Sequence, residues 1–97
     1  MSLSFEWNEF KSVLNDHKHG VDFYFAQKAF FDPNRIIAVD LSHSTASEKR
    51  YYCFGKVGSE ILTVRFTYRE DRIRIFGAGF WRKGKKQYEQ AQKNKVY

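Results

Sequence analysis

Residues 51–76 read YYCFGKVGSEILTVRFTYREDRIRIF, and this stretch decides the fold. Three runs rich in aromatic and β-branched residues, 51–57, 61–69 and 72–76, are separated by Gly58-Ser59 and Glu70-Asp71. Runs of this length joined by two-residue polar turns predict consecutive antiparallel strands. In the middle run Leu62, Val64, Phe66 and Tyr68 alternate with Thr63, Arg65, Thr67 and Arg69. Successive strand side chains point to opposite faces, so the pattern predicts one buried and one wet face.

Working outward, residues 35–39 (RIIAV) read as a further strand and the polar stretch 40–47 as a loop. Nearer the start, residues 4–7 suit a short strand. Asn8 can then cap a helix, because its side-chain oxygen can accept from amides of the next turn. Phe10, Val13, Leu14 and His17 stand at i, i+3, i+4 and i+7, the spacing of an amphipathic helix. Gly20 ends that helix, and Asp22 caps a second one running to Phe31 and halted before Asp32-Pro33. From Phe80 onward a basic helix is expected, although Gly84 argues against it on propensity. The order β-α-α-β-β-β-β-α predicts an α+β fold: one domain over residues 1–97, with helices packed on one face of a central antiparallel sheet.

The chain carries a formal charge of +6, and the excess is local. Residues 1–71 hold nine basic and ten acidic side chains, whereas residues 72–97 hold eight basic and one acidic. A basic segment interleaved with Trp81 and Tyr88 suits a polyanion such as RNA. The single cysteine, Cys53, excludes an internal disulfide and reads as a small buried residue in a reducing compartment. Neither a membrane-length apolar run nor a leader-like apolar stretch is seen, so a cytoplasmic location is expected. His17 and His19 do not make a metal pair: on a helix they point about 200° apart, and no cysteine or carboxylate completes a set.

Several strings together resemble the BrnT toxin family. FEW (5–7) is followed by KHGV (18–21), FFDP (30–33), His43-Ser44, EKRY (48–51), Gly55, Thr67, RIRI (72–75) and Tyr88-Glu89. The likeness spans residues 4–90. It implies a RelE-like fold, cleavage of RNA without a metal or other cofactor, and growth arrest. It further implies neutralisation by a BrnA-like ribbon-helix-helix antitoxin, in a dimer or heterotetramer that represses its own operon. The chain departs from the family where an arginine is usual, since Gly79 stands there, and Lys85 replaces a usual glutamate. Either Arg82 supplies the missing guanidinium from one turn further on, or the activity is altered or lost.

Metal-free RNA cleavage must activate a 2′-hydroxyl, stabilise charge on phosphorus and protonate the leaving oxygen. Arginine suits the second task through its two-pronged fork. Arg50 and Arg74 are the expected phosphate clamp, with Arg82 assisting. Glu48 lies two residues before Arg50, on the same side of an extended segment, as general base or as a surface ion pair. His43, in a loop, and His19, at a helix end, are acid–base candidates, although His19 can equally bond a backbone carbonyl. Arg65, Arg72, Trp81, Arg82, Lys83, Lys85, Lys86 and Tyr88 form the expected RNA-binding set, with the two aromatics serving alternatively as core anchors. The Gly77-x-Gly79 pair suits a bulge or a close backbone approach. A catalytically decayed RNA- or partner-binding module is the competing reading; a lone DNA-binding regulator is disfavoured because no helix-turn-helix pattern is present.

Overall fold

A computed structural model describes residues 3–95. Five strands form one sheet in the order β1-β5-β4-β3-β2, with β1 Phe5–Trp7, β2 Ile36–Val39, β3 Arg50–Val57, β4 Glu60–Arg69 and β5 Arg72–Gly79. Strands β2 to β5 pair antiparallel, as the alternation requires. The sheet is nevertheless mixed, because β1 returns to lie parallel to β5, placing Phe5 opposite Ile73. The α+β class stands.

Helix α1 (Glu9–His19) begins where the Asn8 side chain accepts from the Lys11 amide at 3.0 Å and ends at Gly20, whose φ is 70°. Asp22 caps α2 (Phe23–Ala26), which tightens into a 3-10 turn over Gln27–Phe31 instead of continuing as one α-helix. Helix α3 spans Arg82–Lys93.

The main core lies between the sheet and the α2 segment. It gathers Val21, Phe23, Ala26 and Phe30 against Cys53, Leu62, Val64, Phe66, Ile73 and Ile75. Two expectations are corrected here. The helices do not share one face: α3 covers the opposite face, where Tyr88 packs with Phe54 and Ile61. Thr63, on the side expected to be wet, is consequently buried, and Thr67 on the same side is buried between Arg50 and Arg74, its hydroxyl donating to Lys49 O at 2.6 Å. Helix α1, moreover, is turned with its apolar stripe outward: Phe10 is 70% exposed, whereas Ser12 and Asn15 face inward. The physical reason is the shortness of β1, which pairs only Ile73 to Ile75 and leaves the edge of β5 bare beyond them. Asn15 fills that gap like a peptide group, donating to Ala78 O at 2.8 Å and accepting from Ala78 N at 3.3 Å. Ser12 Oγ accepts from the Phe23 amide at 2.8 Å.

Two details place the site. On β5 the register shifts so that Phe66 faces Ile75 and Arg65 faces Gly77, leaving Phe76 as the extra residue of a bulge. At the other end, Tyr88 Oη donates to Asp32 Oδ2 at 2.6 Å, and Asp32 also accepts from the Asn34 and Lys56 amides. This cluster ties α3 to the end of the 3-10 segment and to β3.

Candidate active site

Sheet register puts Glu6, Arg74, Thr67 and Arg50 in one row across β1, β5, β4 and β3. Residues opposite one another project to the same face, so Arg50 and Arg74 flank Thr67 on one surface. Arg74 Nη1 donates to Glu6 Oε2 at 2.9 Å, with Arg72 at 4.0 Å from the same carboxylate. Arg50 donates from Nε and Nη2 to Glu48 at 3.3 and 3.2 Å, and Arg69 reaches the other oxygen at 3.3 Å. The Arg50 guanidinium also lies 4.1 Å over the bulged Phe76 ring. Burial pushes the Glu48 carboxyl up, but hydrogen bonds and charge from Arg50 and Arg69 outweigh it and hold the group below its ordinary value. An ionised carboxylate so held is a weak base and a good orienting group for two arginines.

One row further along the same face stand Tyr52, Arg65 and Gly77. Here the sheet, the 3-10 turn Leu41–His43 and the first turn of α3 enclose a cavity of about 450 Å³, lined by His43, Tyr52, Arg65, Trp81 and Lys83 over a floor containing Thr63. His43 Nδ1 lies 2.8 Å from Oδ2 of Asp40, which is only 3% exposed. Burial pushes the Asp40 carboxyl up, but hydrogen bonds from Ser42, His43 and Tyr52 bring it below its ordinary value. It is therefore an anion at neutral pH. An anionic Asp40 accepts from Nδ1–H and leaves Nε2 as the free ring nitrogen of a half-exposed imidazole.

Trp81 is the hinge of the surface. Its ring occupies the space into which a side chain at residue 79 would project, 2.7–3.0 Å from an ideal Cβ there. Glycine at 79 is thus the condition for seating the indole on the sheet. Beyond Trp81, His19 meets the ring edge-on at 5.1 Å, in a second groove lined by Lys11, Leu14, Lys18, Arg65 and Phe76. His19 and His43 therefore line different grooves, which share Trp81 and Arg65. The expected α3 cations also separate: Lys83 enters the His43 cavity, Arg82 and Lys85 line a groove beside Glu60, and Lys86 lines a cleft against Ile36. Tyr88 is corrected as an RNA contact: at 6% exposure it cannot stack on a base and serves to anchor α3.

Glu6, Asp40, Tyr52 and Phe76 were not singled out from the sequence. Asp40 carried a readable signal, since side chains three apart eclipse in a 3-10 turn and Asp40-x-x-His43 has that spacing. Glu6 and Phe76 needed the parallel pairing and the bulge.

A family model described as "Ribonuclease toxin, BrnT, of type II toxin-antitoxin system" matches residues 7–85. No curated protein matches the chain. The matched span takes in Asp40, His43, Arg50, Arg65, Arg74, Trp81 and Lys83, and most of the chain besides. The chain belongs to the BrnT family of ribonuclease toxins of type II toxin–antitoxin systems.

Proposed function

We propose that the chain is a cytoplasmic endoribonuclease that cleaves RNA without a metal, and that a BrnA-like ribbon-helix-helix antitoxin silences it in a dimer or heterotetramer. One observation carries the reading: a buried carboxylate orients His43 in a cavity flanked by two cations and an indole. His43 Nε2 takes the proton of the 2′-hydroxyl as that oxygen attacks phosphorus. The bond to the 5′-oxygen breaks, leaving a 2′,3′-cyclic phosphate and a 5′-hydroxyl. Arg65 meets the charge that builds on the non-bridging oxygens, and Lys83 gives a proton to the departing 5′-oxygen, which leaves as the hydroxyl. Lys83, not Arg82, replaces the guanidinium absent at Gly79, because Arg82 lines a different groove.

Arg50 and Arg74, each braced by a glutamate, hold the RNA backbone leading to this cavity, and Arg69 and Arg72 extend the track. Glu48 acts as the positioning group for Arg50 rather than as the base. Trp81 offers its face to a base.

The test is incubation of purified, antitoxin-free protein with a defined RNA in EDTA. Cleavage with cyclic-phosphate ends is expected, falling roughly 10²–10⁴-fold in His43→Ala, the range for loss of a general base. Arg50→Ala and Arg74→Ala are expected to weaken RNA binding and to flatten its salt dependence by about one unit of slope per lost phosphate contact. Full activity in His43→Ala overturns the assignment. RNA binding without products in the unaltered protein selects the decayed-module reading, which the glycine at residue 79 favours.

A further inference from the structure

The outward stripe of α1 lacks any use in the site above. Phe10, Val13 and Leu14 are 70%, 48% and 47% exposed, at the i, i+3, i+4 spacing through which one helix packs on another. Leu14 continues the stripe into the groove of about 490 Å³ behind Trp81, whose charged walls are Lys11, Lys18 and Arg65, with His17 and His19 beside them and no carboxylate. Neither acid of the helix lines it: Glu9 accepts from Trp7 Nε1 at 3.0 Å and is turned towards β1, and Asp16, exposed one turn after Val13, lies outside the groove lining. An apolar ridge bordering an uncompensated basic groove fits a partner that is apolar on one side and acidic on the next. Phosphates could reach the lysines and a base could stack on Phe10, but RNA offers little to the aliphatic Val13 and Leu14, so the combination of features favours protein.

We propose that this face is the seat of the antitoxin, and that the seated part is an acidic amphipathic helix. Its apolar side covers Phe10, Val13 and Leu14, and its carboxylates meet Lys11, Lys18 and Arg65. The groove shares Arg65 and Trp81 with the His43 cavity. An occupant there therefore takes away the cation and the stacking surface that RNA needs while leaving His43 and Asp40 untouched. This inference rests on the ribonuclease reading only for how seating silences the toxin, not for the seat itself.

The experiment uses the full chain and the purified antitoxin encoded in the same operon. Phe10→Glu/Val13→Glu is expected to lower antitoxin affinity at least 30-fold by calorimetry, with the free toxin's RNA cleavage and urea midpoint unchanged. A second variant does not depend on tolerance of new charge: Val13→Cys adds an exposed thiol beside the buried Cys53. Labelled with a photo-crosslinker, it should join covalently to the antitoxin. Wild-type affinity in the double variant together with no crosslink overturns the proposal. So does loss of RNA binding in place of antitoxin binding, which would make the stripe a nucleic-acid surface. A free toxin that sediments as a dimer, and as a monomer once Phe10 and Val13 are replaced, would give the stripe to a second copy and likewise overturn it. Should the free toxin cleave no RNA while the affinity loss and crosslink are found, the ribonuclease reading fails and the seat stands.

Discussion

Replacing Gly84 by alanine sets two effects of known size against each other. In a helix interior alanine is favoured over glycine by about 1 kcal/mol. At residue 84, however, an added Cβ would collide with Thr63 Oγ1 and stand 3.0 and 3.1 Å from two Phe54 ring carbons. Neither neighbour yields easily: Thr63 is buried in the central strand, and the Phe54 ring is buried and stacked on Tyr52 at 5.7 Å. Overpacking of this kind costs about 1–3 kcal/mol. The clash should therefore win, leaving Gly84→Ala destabilised by up to about 2 kcal/mol. For a domain of this size each kcal/mol moves Tm by roughly 4–8 °C, so a drop of up to roughly 15 °C is expected in thermal melts followed by circular dichroism. In a Thr63→Ala background the collision with Oγ1 is gone, and the cost of alanine at 84 should shrink by about 1 kcal/mol. Because Lys83, in the first turn of α3, lines the His43 cavity with Trp81, cleavage should fall along with stability. A higher Tm in Gly84→Ala, or the same loss with and without Thr63, would refute the close seating of α3 on β4.

Two further outcomes follow from buried groups. Tyr88→Phe removes a hydrogen bond to a carboxylate and should cost about 1.5–3 kcal/mol, read from urea unfolding. Burial, followed by the bond to Asp32 and its charge, pushes the Tyr88 hydroxyl up to about 12. The folded value is raised, so this stabilisation is complete below about pH 10, where a free tyrosine titrates, and is lost as pH rises through about 12. Burial also pushes Tyr52 and Tyr68 up, so absorbance titration near 295 nm should show one fewer late-ionising tyrosine in Tyr88→Phe than in the wild type. Burial likewise pushes the Cys53 thiol up to about 12. Its labelling by a thiol reagent at neutral pH should track unfolding, and rapid labelling of the native protein would contradict the packing of Cys53 against the α2 segment.

The strands and caps were legible because they are local. Alternation along residues 61–69 and the side chains of Asn8, Asp22 and Gly20 report their own surroundings within a turn or two. The facing of α1 was not, because an i, i+3, i+4 apolar stripe says that a helix has two sides and not which side the molecule covers. Here the requirement to satisfy the bare edge at Ala78 drew Asn15 inward and set the stripe outside. Gly84 shows a propensity argument turned round: the residue that weighed against a helix is the one that lets the helix sit on Thr63 and Phe54. In the candidate site, arginines were legible as a residue type suited to phosphate, whereas the common row of Arg50 and Arg74 came from the sheet register, since the sequence placed Arg50 just before its strand. Of the carboxylates that brace them, Glu48 was legible two residues before Arg50, whereas Glu6 lies far in sequence from Arg72 and Arg74, so its pairing waited on sheet order. Tyr88 was misread because an aromatic in a basic helix looks the same whether it faces RNA or Asp32.

The parallel pairing of β1 with β5 has a consequence for synthesis. Phe5 leaves the ribosome early, yet its partner Ile73 follows nearly the whole chain later. At about 5–20 residues per second, β1 waits on the order of 3–14 s with no strand to join. A translation product cut short before β5 has neither the partner for Glu6 nor the indole and lysine of the His43 cavity. On the mechanism proposed above, such truncated chains should not cleave RNA.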